Sequence, residues 1–121
     1  MTSRISHSSA RQLIDGELIA YRLARGESDA AAAWRALERA HIISQPFLTL
    51  HISSHWAMLG FAIQERDIKE IIGQIVRLAL APLGALTGRI PIGNTGRSNV
   101  SAFEPMPIPE DLMTAMKDQQ P

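Results

Sequence analysis

The sequence predicts an all-α protein: an antiparallel four-helix bundle-like domain followed by a long extended segment and a short final helix. Two observations carry this. Apolar residues over the first ninety positions recur at intervals of three and four, and nothing there alternates as a half-buried strand would. The breaks between those periodic runs are short and carry helix start and stop residues, the pattern of consecutive antiparallel helices.

The first helix is placed at about residues 10–25. Ser8 or Ser9 can cap it, Leu13, Ile14, Leu18 and Tyr21 give its apolar stripe, and Gly26 suits the left-handed residue that ends a helix. The second spans about 28–44, with Ser28 as cap, Asp29 in the first turn and an alanine run of high helix propensity. Its inward residues are Trp34, Leu37, His41 and Ile42. Gln45-Pro46 breaks it, and Pro46 opens a third helix over 46–65. That helix turns Leu48, His51, Ile52, His55, Leu59 and Ala62 inward. Asp67 caps the fourth, over 67–86, whose stripe is Ile68, Ile71, Ile72, Ile75, Leu78 and Ala79, with Glu70, Gln74 and Arg77 on the polar side. Pro82 and Gly84 loosen or end it. The spacing of small and large residues from Tyr21 to Ala40 is that of a tetratricopeptide unit, but one unit makes no solenoid, and an ordinary helix pair is expected.

From 88 to 109 no period is visible, and proline, glycine, asparagine and serine punctuate the chain. A stretch this long without regular structure is usually functional or disordered. Its apolar members, among them Ile90, Ile92, Val100, Phe103, Met106 and Ile108, predict packing across the bundle. The prolines Pro105, Pro107 and Pro109 favour an extended path, as groove packing or a docking motif. Pro109-Glu110-Asp111 starts a short helix over 110–117.

Composition bounds the function. The chain has 121 residues, enough for one domain with its own core. It is 45% hydrophobic and 20% charged, as folded proteins are. Net charge is zero and the basic residues are scattered, so no nucleic-acid partner is expected. Absence of cysteine excludes disulfides, a thiol nucleophile and thiolate metal sites. The most apolar stretch, Ile71 to Leu86, is interrupted by Gln74 and Arg77, and is expected to be a buried helix rather than a membrane span. No secretory signal is visible, and a cytoplasmic location is expected.

Three of the four histidines, His41, His51 and His55, fall within fifteen residues on the apolar sides of the second and third helices. A buried ring nitrogen without a partner costs about 1–3 kcal/mol, so each needs a hydrogen bond or a metal. His51 and His55 stack one turn apart, and Glu38-x-x-His41 has the spacing that bundle metalloproteins project inward. A short antiparallel connection brings His41 and His51 to similar heights. The expected ligand set is therefore His41, His51 and His55, completed by Glu38 or by Glu17 from the first helix. Nitrogen and oxygen donors suit zinc or iron, with cobalt or nickel also accommodated. A di-iron carboxylate centre would require a second Glu-x-x-His motif, which is missing. His7 has no evident partner. Residues 91–98, Pro-Ile-Gly-Asn-Thr-Gly-Arg-Ser, lack the first glycine and the lysine of a phosphate loop. They form a glycine-rich turn, with a lid over the histidines as a further possibility, Asn94 or Asn99 supplying a hydrogen bond.

Leu37-Glu38-Arg39-Ala40-His41, Gln45, His51-x3-His55 with Ala57-Met58-Leu59, and the tail from Pro91-Ile92-Gly93-Asn94-Thr95-Gly96 to Pro105-Met106-Pro107-Ile108-Pro109 resemble domain-of-unknown-function family 3703, over nearly the whole chain. The resemblance brings no activity; it implies a small bacterial helical protein, often encoded near heavy-metal resistance genes. Three readings stand at this stage: a metal-binding protein linked to metal resistance or homeostasis, a metal-free helical adaptor for a protein partner or a second copy, and a small metalloenzyme with an open coordination position. No catalytic residue is assigned. A domain with this much apolar surface is expected to fold without its metal.

Overall fold

The computed structural model describes residues 5–88, 91–102 and 104–118; Arg89, Ile90 and Phe103 lie outside them. The fold is all-helical, with α1 (His7–Gly26), α2 (Ala30–Ser44), α3 (Leu48–Gln64), α4 (Ile68–Thr87) and α5 (Glu110–Asp118). α1 packs on α2 and α3 on α4, and the two hairpins join through α2 and α3, with α5 against α1.

Both hairpins turn by the same device. At the end of α1, Asp29 N–H bonds Ala24 O and Ser28 N–H bonds Arg25 O, with Ser28 at φ +58°. At the end of α3, Asp67 N–H bonds Ala62 O and Arg66 N–H bonds Ile63 O, with Arg66 also at φ +58°. Each is a Schellman closure in which one left-handed residue satisfies the final carbonyls. The aspartate that completes it then caps the next helix, Asp29 accepting from Ala32 N and Asp67 from Glu70 N. Gly26 and Ser28 thus exchange their expected roles: Gly26 stays helical, Ser28 takes the left-handed turn, and Asp29 is the cap. Ser6, rather than Ser8 or Ser9, caps α1 through Ser9 N–H. Pro46 stands in the turn before α3, which starts two residues later than expected.

The core has two parts. Tyr21, Trp34, Leu37, Met58 and Phe61 make one, with Phe61 edge-on to both Tyr21 and Trp34. Ile14, Ala40, Ile43 and Leu112 centre the other, which ties α5 to the first hairpin. His7 is exposed but lies edge-on to Phe47, at 5.4 Å between ring centres.

α4 reverses the expected orientation. Its buried residues are Glu70, Gln74, Arg77 and Ala81. Ile68, Ile72 and Ile75 are more than half exposed, Ala79 is exposed, and only Ile71 and Leu78 are half-buried. The expectation that the Ile71–Leu86 stretch is a buried helix is therefore corrected: by length and composition α4 is long and apolar enough to cross a membrane, and 17% of its most apolar window is buried. The cause is the tail. Residues 94–100 lie along the polar stripe of α4 and meet it with backbone carbonyls, an arginine and a serine. The polar residues are worth more against those partners than in water. Gly73 permits the approach, since a Cβ there would come within 2.3 Å of the Ser98 Cβ.

Candidate metal centre

The histidines converge. His41 near the end of α2 and His51 and His55 on the first turns of α3 bring their Nε2 atoms into a triangle with all three sides 3.1 Å. His41 and His55 are buried, and His51 is half-buried at the edge of a cavity.

The hydrogen bonds outside the triangle fix the tautomers. His41 Nδ1 is 2.8 Å from Asn94 O, a pure acceptor, so it carries the proton. His55 Nδ1 is 2.8 Å from Gln74 Oε1. The amide of Gln74 cannot be reversed, because its Nε2 donates both to Glu70 Oε2 and to Gly96 O. His55 Nδ1 is therefore also a donor. The Nε2 atoms of His41 and His55 are both left as lone pairs aimed at the same point.

Burial sets the charge state. It holds the His41 imidazole well below its ordinary pKa, with His55, His51 and Arg77 pushing the same way. It lowers His51 to about 4, with His55 adding to the effect. His55 is lowered too, burial outweighing the hydrogen bond to Gln74. All three are neutral at pH 7, the state in which imidazole binds metal.

The triangle could hold an ion: His41, His51 and His55 each offer one nitrogen, and nitrogens 3.1 Å apart are compatible with metal–nitrogen bonds of about 2.0–2.1 Å.

Neither expected carboxylate joins the histidines. Among the described residues the converging group is His41, His51 and His55. Glu17 is held by Arg39 at 2.7 Å, and Arg39 also reaches Asp111 on α5. Glu38 pairs with Arg97 at 3.2 Å, and burial, outweighing that arginine, raises its pKa. Both are structural ion pairs that fasten neighbouring elements, and the Glu-x-x-His spacing served a different purpose here.

What sequence reasoning missed is the support. Glu70, Gln74 and Arg77 form a polar column one turn apart on α4. Glu70 accepts from Arg97 Nε, Ser98 N–H and Ser98 Oγ as well as from Gln74. Burial works against its charge, but these donors together hold its pKa below the ordinary value. Arg97, so engaged, also stacks 3.8 Å over the Trp34 ring. The lid reading of the tail is the one the geometry supports, through the backbone carbonyl of Asn94 rather than through an asparagine side chain. The Asn94 side chain closes the lid on itself, donating to Ser101 O and Glu104 O and accepting from Gly96 N–H. Gln45 pins the lid's start, donating to Pro91 O and accepting from Gly93 N–H. The signal was present: three polar residues at i, i+4 and i+7 in an otherwise apolar helix, opposite a tail rich in polar groups.

Lid, column and histidines all fall within residues 8–116, which match the model of a protein family of unknown function, DUF3703. The chain belongs to this family. No curated protein and no solved structure matches it. Family membership thus covers the bundle, the lid and most of α5 together.

Proposed function

We propose that the protein binds one divalent transition-metal ion through Nε2 of His41, His51 and His55. Zinc or ferrous iron fits best and cobalt or nickel is accepted, for a role in metal homeostasis or resistance. The observation that carries this is the proton count. Neutral imidazoles hold one proton each, and two of the three protons are committed outward, to Asn94 O and to Gln74 Oε1. At most one remains for three nitrogens 3.1 Å apart, so at least two lone pairs face each other inside the fold. In a metal-free adaptor, whose histidines only hydrogen-bond internally, those facing lone pairs would be left without a donor. A Lewis acid satisfies all three at once. The outward bonds are the orienting contacts that metal-bound histidines make to carbonyls and amides.

Metal analysis and calorimetry on tag-free protein stripped with chelator test this. One equivalent of zinc or ferrous iron is expected to bind. At a hundredfold excess over Kd the fold gains about 2.7 kcal/mol, which raises Tm by roughly 10 °C for a chain of this size. His51→Ala with His55→Ala abolishes both. Glu17→Gln and Glu38→Gln leave the stoichiometry and affinity unchanged, since those carboxylates face arginines. An unaltered melting curve with every candidate metal would remove the proposal in favour of the adaptor.

A further inference from the structure

Beside the triad lies a cavity of about 270 Å³, bounded by the three histidines, Arg77, and an apolar wall that includes Leu80, Ala81 and Ala85. It is lined by no aspartate or glutamate. Among the described residues Arg77 is the one charged group lining it, and is 9% exposed. The Arg77 guanidinium donates to two backbone carbonyls, Gly73 O and Val100 O. Its Nε is buried with no hydrogen-bond partner, and among the described residues Arg77 has no ion-pair partner. A buried cation with a free donor is costly, and a second cation on the triad would make it more so.

We propose that this cavity receives a small monocarboxylate, its anionic head shared between the triad's metal and Arg77, its short aliphatic body against Leu80, Ala81 and Ala85. The inference rests on the metal reading above and names the ligand class of that site. Three lines support it. The first is charge. Glu70, 2.8 Å from Arg97, and Glu38 on the same arginine do not line the cavity. An ion bound by neutral imidazoles would bring no anion of its own to Arg77, and an anion from outside relieves both. The second is reach. Arg77 stands one turn beyond Gln74, which holds His55, and its charge is felt by the rings of both His41 and His55. The third is the number of polar partners. Gln45, the other long polar side chain lining the cavity, is spent on Pro91 and Gly93. The metal and the Arg77 guanidinium make two points, which suit the two oxygens of a carboxylate. Phosphate would turn its remaining oxygens onto an aliphatic wall, unpaired.

Cobalt-loaded protein provides the test, because visible d–d bands report the ion's shell directly. Acetate, butyrate and inorganic phosphate are titrated in turn. Butyrate is expected to shift the bands and to bind about tenfold tighter than acetate, two extra buried methylenes being enough for that, and to outcompete phosphate. Arg77→Met is expected to keep the cobalt bands and lose at least tenfold in butyrate affinity. Ala81→Leu, which fills the wall and spares Arg77, erases the preference for butyrate over acetate, and decides the matter if Arg77→Met does not fold. Cobalt bands indifferent to all three anions would overturn this inference and leave the metal reading standing, as would phosphate binding as tightly as butyrate. Absence of cobalt bands altogether would overturn both.

Discussion

Gly96 is the tightest joint between lid and triad, and replacing it with alanine separates the effects that hold the site together. Its φ is +83°, and an added Cβ would stand 2.7–2.9 Å from Cδ2, Cγ and Nε2 of His41. Neither partner can step back. Gly96 N–H is held by Asn94 Oδ1 at 2.8 Å and its carbonyl by Gln74 Nε2 at 2.9 Å. The His41 ring is held through Nδ1 by Asn94 O, also at 2.8 Å. The left-handed backbone costs a non-glycine residue about 1–2 kcal/mol, and forcing a methyl into a filled contact adds roughly 1–3 kcal/mol. Gly96→Ala should therefore lose about 3–4 kcal/mol, seen in urea unfolding as a midpoint about 2 M lower for a slope near 1.5–2 kcal/mol/M. Two glycines calibrate the result. Gly88, at φ +73° with nothing within 4 Å of an added Cβ, should lose only the conformational part, about 1 kcal/mol. Gly60, exposed within α3 and equally unobstructed, should gain up to about 1 kcal/mol as alanine. Metal affinity should fall in Gly96→Ala alone, because only there is a ligand ring displaced. If Gly96→Ala unfolds no more easily than Gly88→Ala, the lid does not press on His41 as described.

Three further outcomes follow from the same contacts. The apo fold keeps its full stability above about pH 6.5, the unfolded histidine value, and weakens as pH falls towards the His51 value of about 4, because the unfolded chain takes protons that the buried rings refuse. His51 alone contributes a loss of about 2–3 kcal/mol across that window, read from urea midpoints at stepped pH; a flat profile would contradict the burial of neutral rings. Gln74→Leu strands His55 Nδ1 and Gly96 O, and is expected to cost about 2–4 kcal/mol and to weaken metal binding 10–100-fold by calorimetry, with unchanged affinity refuting the orienting role. Ile75→Lys, at a residue 54% exposed, should move stability by no more than about 0.5 kcal/mol; a loss above 2 kcal/mol would mean that α4 turns its isoleucines inward after all.

The helices were legible because each is bounded by a local signal that acts before any tertiary contact. Asp67 caps where it was expected, Pro109-Glu110-Asp111 starts α5, and the apolar spacing of α2 puts Trp34, Leu37, His41 and Ile42 inside, as all four are. The convergence of His41, His51 and His55 was legible for the same reason, since two consecutive helices and a short turn fix their relative heights. Glu17 and Glu38 were not, because a carboxylate at helical spacing from a histidine faces an arginine as readily as a metal. The deciding partners, Arg39 at 22 residues' separation and Arg97 at 59, are remote in sequence.

The orientation of α4 failed for a reason that also explains the site. Periodicity assigns the apolar face to the core on the assumption that water is the only polar partner available. Here a tail of glycine, asparagine, serine and arginine offers fixed carbonyls and donors of its own, and Glu70, Gln74 and Arg77 turn towards them instead. Gln74 then joins three elements through one amide: Oε1 to His55 on α3, Nε2 to Glu70 on its own helix and to Gly96 of the lid. An apolar residue in its place would satisfy the periodic pattern of α4 and leave the His55 tautomer free, with Nε2 as likely to carry the proton as Nδ1. The misoriented helix and the lone pair on His55 Nε2 therefore have one cause. Turned inward by the tail, the polar column supplies the fixed acceptor that aims the His55 lone pair, as the Asn94 carbonyl of that tail aims the lone pair of His41.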